Sequence, residues 1–179
     1  MQDSIRLRLR AATAAQHERV DAAFSSYNLE DNTGYEAFLL AHLRVVQPVE
    51  VALEKAGIAA LITDWPARQR RHALLADLEA LGTAGPVTEP LAIQPTPGWC
   101  LGSCYVLEGS RLGGRLLARR VAAANPGAPL HYLAHSDTTP SWPGFLEQFE
   151  QGAKQQPWDQ LLAGARDCFD LFVTAAKLG

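Results

Sequence analysis

His17 stands seven residues after Arg10 and four before Asp21, and Arg6 precedes Arg10 by a further four. At ~3.6 residues per turn each member of this series lies within about 40° of the next, so a helix would carry all four on one stripe. A neutral imidazole there can ligate a metal, and a carboxylate one turn on can hold its second ring nitrogen. An arginine about 10 Å away along the axis can receive an anionic group on the same ligand. The residues alone leave a plainer reading open, because a lone histidine on an amphipathic helix is more often a hydrogen-bonded packing residue.

The stretch 98–121, GWCLGSCYVLEGSRLGGRLLARRV, has the pattern of a long helix yet carries glycine at 102, 109, 113 and 114. Each interior glycine costs about 1 kcal/mol relative to alanine. Offsets of seven and four residues put Gly102, Gly109 and Gly113 on one face. Such a bare strip admits either a neighbouring helix or a flat ligand. Tyr105 flanks the strip on its own face and Ser110 follows Gly109 directly, so polar groups attend the bare backbone. Carbonyls freed at Gly109 and Ser110 would also bend the helix. A kinked, glycine-lined roof over a planar ligand is the better account.

At these residues the chain resembles the haem oxygenase family, specifically its bacterial members, including those that supply biliverdin to bacteriophytochromes. The matching segments are LRAATAAQHERVDAAF (9–24), YEAFLLAHLRVVQPVE (35–50) and SCYVLEGSRLGGRLL (103–117), the first and last being the specific ones. The likeness extends from about residue 5 to 149. It implies an all-α, haem oxygenase-like helical bundle. It also implies that His17 is the axial ligand of haem iron and Asp21 the acceptor of its other N–H. Gly109, Ser110 and Gly113 then cover the opposite face of the ring. Arg10 and Tyr105 match positions that hold haem propionates, with Arg6 a weaker extension. Ser110 stands where animal relatives place a carboxylate.

The implied reaction opens haem to biliverdin, carbon monoxide and ferrous iron, using oxygen and electrons from an external reductant such as a ferredoxin or flavin reductase. Haem is then cofactor and substrate at once, and no separate nucleophile is required. The runner-up is a haem-binding or haem-transfer protein on the same scaffold, which would hold the ligand without turning it over. A third reading is a bundle sharing only the architecture, since related scaffolds host thiamine-degrading enzymes and fold does not fix function.

Length and composition agree without deciding. The 179 residues are the size of a single domain. A net charge of −3 and a charged fraction of 20% point to neither nucleic acid nor membrane surfaces as partners. The chain has no apolar run of 18 residues, and its first segment has no apolar core of a secretion signal, so the cytoplasm is the expected compartment. Three cysteines fit no secreted disulfide framework. Cys100 and Cys104 lie one turn apart without a second pair at zinc spacing, so they read as buried small residues, as does Cys168.

Helical patterns run almost throughout. One helix over residues 4–24 carries His17, and Thr33 with Glu36 forms a capping box for a second helix to about residue 56. A third starts at Asp64 and stops at Gly82, followed by a proline-rich connector over 83–97. The glycine-bearing helix spans 98–124, Ser141 opens a short helix through 151, and Pro157 opens the last one to about 176.

Remaining candidates have plainer readings. Arg68, Arg70, Arg71 and His72, and likewise Arg111, Arg115, Arg119 and Arg120, read as solvated faces, the second group being suited to an acidic electron donor. Arg120, eleven residues after Gly109, shares its face and would reach a propionate at the far edge of a ring. His42 reads as a hydrogen-bonded core residue, and His131 and His135 as exposed loop residues. Trp65, Trp99, Trp142 and Trp158 read as packing anchors, and Phe145 and Phe149 as core.

Overall fold

The computed structural model of the protein describes residues 4–134 and 140–178, and no strand occurs among them. Seven α-helices follow in order: α1 (Ile5–Ala12), α2 (Ala14–Phe24), α3 (Asn32–Lys55), α4 (Arg71–Ala80), α5 (Pro97–Ala124), α6 (Trp142–Ala153) and α7 (Trp158–Ala176). Two 3-10 turns, Ile58–Ala60 and Trp65–Ala67, lie between α3 and α4. One contiguous apolar core joins the helices, with Leu9, Leu39, Leu43, Leu53, Phe145 and Phe149 fully buried.

Five sequence expectations are corrected. The first helix is broken at Thr13, whose φ of −118° and ψ of 10° depart from helical values. The buried Thr13 hydroxyl donates to the Leu9 carbonyl at 2.8 Å, the kind of back-bonding that bends helices. Arg6 and Arg10 therefore belong to α1, and His17 and Asp21 to α2.

The capping box at Thr33 is not used. Asp31 caps α3 instead, its carboxylate accepting from the Gly34 N–H at 2.7 Å. The expected third helix begins late, because Trp65–Ala67 forms only a 3-10 turn and α4 starts at Arg71.

The arginines of this segment are not a solvated face. Arg68 is 1% exposed, Arg70 5% and Arg111 8%. Arg68 pairs with Glu108 and Asp64, Arg71 with Glu54 and Glu50, and Arg111 with Glu108. Arg111 also donates to the Arg68 carbonyl. Residues 68–71 thus form a strap tied to α5 through Arg68 and Arg70 and to α3 through Arg71. The exposure expected for Arg115, Arg119 and Arg120 is observed.

The fifth correction concerns Gly102. A Cβ there would lie 2.0 Å from the Leu161 carbonyl oxygen, and one on Gly164 would lie 2.1 Å from that of Trp99. These two glycines let α5 and α7 cross backbone to backbone, with the Ser103 hydroxyl donating to the Gly164 carbonyl at 2.9 Å. Gly102 is a packing residue. Through the remaining glycines α5 continues without interruption.

Beyond α5 the chain is pinned by Asp77, which is fully buried. Its carboxylate accepts from the backbone N–H groups of His131 at 2.9 Å and Tyr132 at 2.8 Å. The His131 side chain is exposed as expected, and His135 lies outside the described residues. Cys100, Cys104 and Cys168 are buried free thiols, and burial pushes the Cys100 thiol up to about 11.

Candidate functional site

Two helices, α6 and α7, hold the elements that carry the predicted residues. On α6, Glu150 accepts from the Ile5 N–H at 3.2 Å, the Arg6 N–H at 2.9 Å and the Ser4 hydroxyl. A carboxylate at a helix N-terminus satisfies donors that have no partner within the helix, and Ser4 supplies no such cap itself. The same α6 presents Trp142 and Phe149 to the Tyr105 ring, with centroids 5.9 and 5.4 Å away. One helix therefore sets both α1 and the tyrosine of α5.

The second of these helices is α7. Phe169 meets the His17 ring edge-on at 6.0 Å, and Asp170 pairs with Arg19 of α2 at 2.9 Å. Because α7 also crosses α5 at Gly102, it fixes the separation of the histidine helix from the glycine helix.

The His17 side chain is two-thirds exposed. Its Nδ1 lies 3.0 Å from Asp21 Oδ2. With that nitrogen donating to the carboxylate, Nε2 carries the lone pair. On α5 a Cβ at Gly113 would meet nothing within 4 Å, and one at Gly109 would meet only the rim of Trp142 at 3.9 Å. The face that α7 fills at Gly102 is thus open at Gly113.

Arg6 and Arg10 stand close enough to Tyr105 to act on its ionisation. Burial raises the phenol pKa, and the two guanidinium charges oppose that rise without cancelling it. Tyr105 therefore remains a hydrogen-bond donor at working pH. At the other end of α5, Arg120 is half-exposed, with Glu30 at 3.8 Å as its ion-pair partner. Ser110 donates to the Leu107 carbonyl at 2.6 Å and accepts from the Arg70 guanidinium at 2.7 Å. Sequence patterns did not single out Glu150 or Phe169 and read Arg70 as solvated, because the contacts of all three cross between distant segments.

Among the described residues no three His, Cys, Asp or Glu side chains gather as a metal site. An iron held in a macrocycle needs only one protein ligand. A groove of about 390 Å³ between α3 and the proline-rich connector is lined by Pro48, Val51 and Leu91.

No family model matches the chain. A heme oxygenase of Xanthomonas campestris pv. campestris is 34% identical over 151 residues, covering 80% of this chain and 89% of that protein. The chain belongs to the haem oxygenase family. As a haem oxygenase it is a haem-degrading enzyme, and its fold agrees with solved members. The heme oxygenase of Neisseria meningitidis superposes with a TM-score of 0.85 at 22% identity, over 98% of this chain and 92% of that one. That of Leptospira interrogans gives 0.75 at 21% identity, over 98% and 100%. The cyanobacterial heme oxygenase-1 of Synechocystis, solved in complex with heme, gives 0.71 at 14% identity, over 98% and 91%. Among the described residues no helix of this haem oxygenase is long and apolar enough to cross a membrane. An available imidazole, a backbone face that a side chain would block and a cationic edge beside a phenol are the donor set a porphyrin with propionates requires.

Proposed function

We propose that haem binds between α2 and α5, where His17 would ligate the iron and Gly109, Ser110 and Gly113 would line the space for the ring. The ring is opened to biliverdin, carbon monoxide and ferrous iron at the expense of oxygen and externally supplied electrons. The supporting observation is an exposed His17 held at Nδ1 by Asp21, 3.0 Å away, together with a face of α5 at Gly113 where a Cβ would meet nothing within 4 Å. The bound haem supplies the oxygen chemistry, being cofactor and substrate together.

The chain's own residues bind and orient. Asp21 fixes the His17 tautomer and strengthens the imidazole as a ligand. Arg6 and Arg10 supply cations, and Tyr105 a donor, for the propionates. Gly113 keeps clear a space that any side chain would enter. Arg120, at the opposite end of α5, is assigned to the far edge of the ring. The contiguous core supports reading residues 1–179 as a single domain.

The reductant is assigned as an acidic ferredoxin- or flavin-type protein, since Arg115 and Arg119 are exposed on α5 and would steer such a partner. A bacteriophytochrome-type photoreceptor is the assigned bilin acceptor, on sequence resemblance alone. Reconstitution with hemin, followed by reductant and oxygen, tests the reading. Loss of the Soret band with growth of a far-red-absorbing bilin is expected, and haem left intact would overturn it.

A further inference from the structure

We propose that Phe169 is a positioning residue of the haem site, its ring holding the His17 imidazole in one plane so that Nε2 is aimed before the ligand arrives. The inference rests on the reading that His17 ligates haem iron.

Asp21 alone does not fix the imidazole. It holds Nδ1 at 3.0 Å from one turn along α2, but both side chains are about two-thirds exposed, and such a pair is weak in water. One hydrogen bond also leaves the ring free to swing about the line joining Nδ1 to the carboxylate oxygen, and the second torsion of a histidine side chain is soft. A contact off that line removes the remaining freedom. Phe169 of α7 makes one: the two ring centroids stand 6.0 Å apart with their planes at 72°, an edge-to-face arrangement within the range where aromatic pairs attract.

Phe169 is itself a fixed reference, only 8% exposed. Five residues earlier on α7, a Cβ at Gly164 would lie 2.1 Å from the Trp99 carbonyl oxygen, so α7 rests directly on the α5 backbone. The next residue after Phe169, Asp170, pairs with Arg19 at 2.9 Å, and α2 and α7 are thereby tied at 17 to 169 and again at 19 to 170. The plane of His17 is thus referred, through α7, to the helix that carries Gly109 and Gly113. An imidazole aimed in advance loses less freedom when it binds. Nothing is transferred, and the contribution is orientation.

The test uses the full-length protein loaded with hemin and cyanide, a low-spin complex in which the proton NMR shifts of the haem methyl groups report the azimuth of the axial imidazole plane. Phe169→Leu should redistribute those shifts and weaken hemin binding about two- to tenfold, the range for one edge-to-face aromatic contact. Phe169→Tyr, which keeps the ring, should retain the wild-type pattern. Phe172→Leu is the control: Phe172 is also buried on α7 but lies against Phe24 and His42, so its loss should lower stability and leave the methyl pattern unchanged. An unchanged pattern in Phe169→Leu would overturn the proposal, as would the same redistribution in Phe172→Leu, which would mark a merely structural role. Should Phe169→Leu fail to fold, the wild-type complex decides. Nuclear Overhauser contacts between the His17 and Phe169 ring protons are expected there, and their absence overturns the proposal. A wild-type chain that takes up no hemin, or a His17→Ala variant with the wild-type spectrum, would overturn the axial assignment itself. Wild-type uptake with an unaltered Phe169→Leu would overturn Phe169 alone.

Discussion

The Leu161 carbonyl oxygen lies 2.0 Å from where a Cβ on Gly102 would be, whereas eleven residues further along α5 the same face at Gly113 meets nothing. One helix therefore uses glycine for two opposed purposes, to admit a neighbouring backbone and to leave a face empty. Gly102→Ala should lower stability by about 3 kcal/mol or more, since backbone must shift to relieve the contact. Gly113→Ala should raise the stability of the haem-free protein by up to about 1 kcal/mol through helix propensity. Gly113→Leu should spare folding but sharply reduce hemin uptake. Denaturant midpoints and hemin titrations of the three variants check this, and equal stability of the two alanine variants would contradict it.

His42 links stability to pH. Its ring lies among Phe24, Phe38, Tyr132 and Phe172, with Nδ1 bonded to the Phe38 carbonyl at 2.9 Å. Burial pushes its pKa down to about 3; the Phe38 carbonyl opposes this and the Arg70 charge adds to it. The unfolded chain takes up a proton near pH 6.5 that the native state refuses, so stability falls as pH drops from about 6.5 toward 3, by up to about 1.4 kcal/mol per unit. Unfolding free energies at several pH values should show this slope in the wild type and a flatter one in His42→Phe. Parallel slopes would refute the assignment.

Glu150 should matter to a helix more than 140 residues away in sequence. Glu150→Ala removes the acceptor for the Ile5 and Arg6 N–H groups and should cost about 1 kcal/mol. Amide exchange at those two residues should speed up selectively. Unchanged protection there would mean that α1 is held by Leu9 packing alone.

Tyr105 and Arg10 are assigned to the same edge of the ring. Tyr105→Phe and Arg10→Ala should each weaken hemin binding by about three- to tenfold, a hydrogen-bond-sized effect. Together they should lose less than the product of the two, because each group supports the other's contact. Fully multiplicative losses would place them at separate sites.

How far sequence reading reached follows from the range of each interaction. His17 with Asp21, and Tyr105 with Gly109, are separated by one helical turn, so periodicity alone placed each pair. The helix ends at Asn125 and Ser141 were likewise local signals, and the structure has them where expected. The break at Thr13 turns on one side-chain hydrogen bond that competes with a regular helix pattern. Gly102 looked equivalent to Gly113 because a periodic pattern does not say which turn meets another helix. Arg68 and Arg111 each have one carboxylate partner within a helical turn, Asp64 and Glu108, but the contacts that bury them and Arg70 against other elements lie 37 to 43 residues away. Non-local polar pairing leaves no mark in spacing.

The central claim is that the His17 imidazole holds haem iron. Hemin titration of His17→Ala, read by absorption spectroscopy with and without added imidazole, tests it most directly. The account predicts that the variant loses the histidine-ligated spectrum of the wild type and regains it when imidazole is supplied. A variant spectrum identical to that of the wild type without imidazole would contradict it.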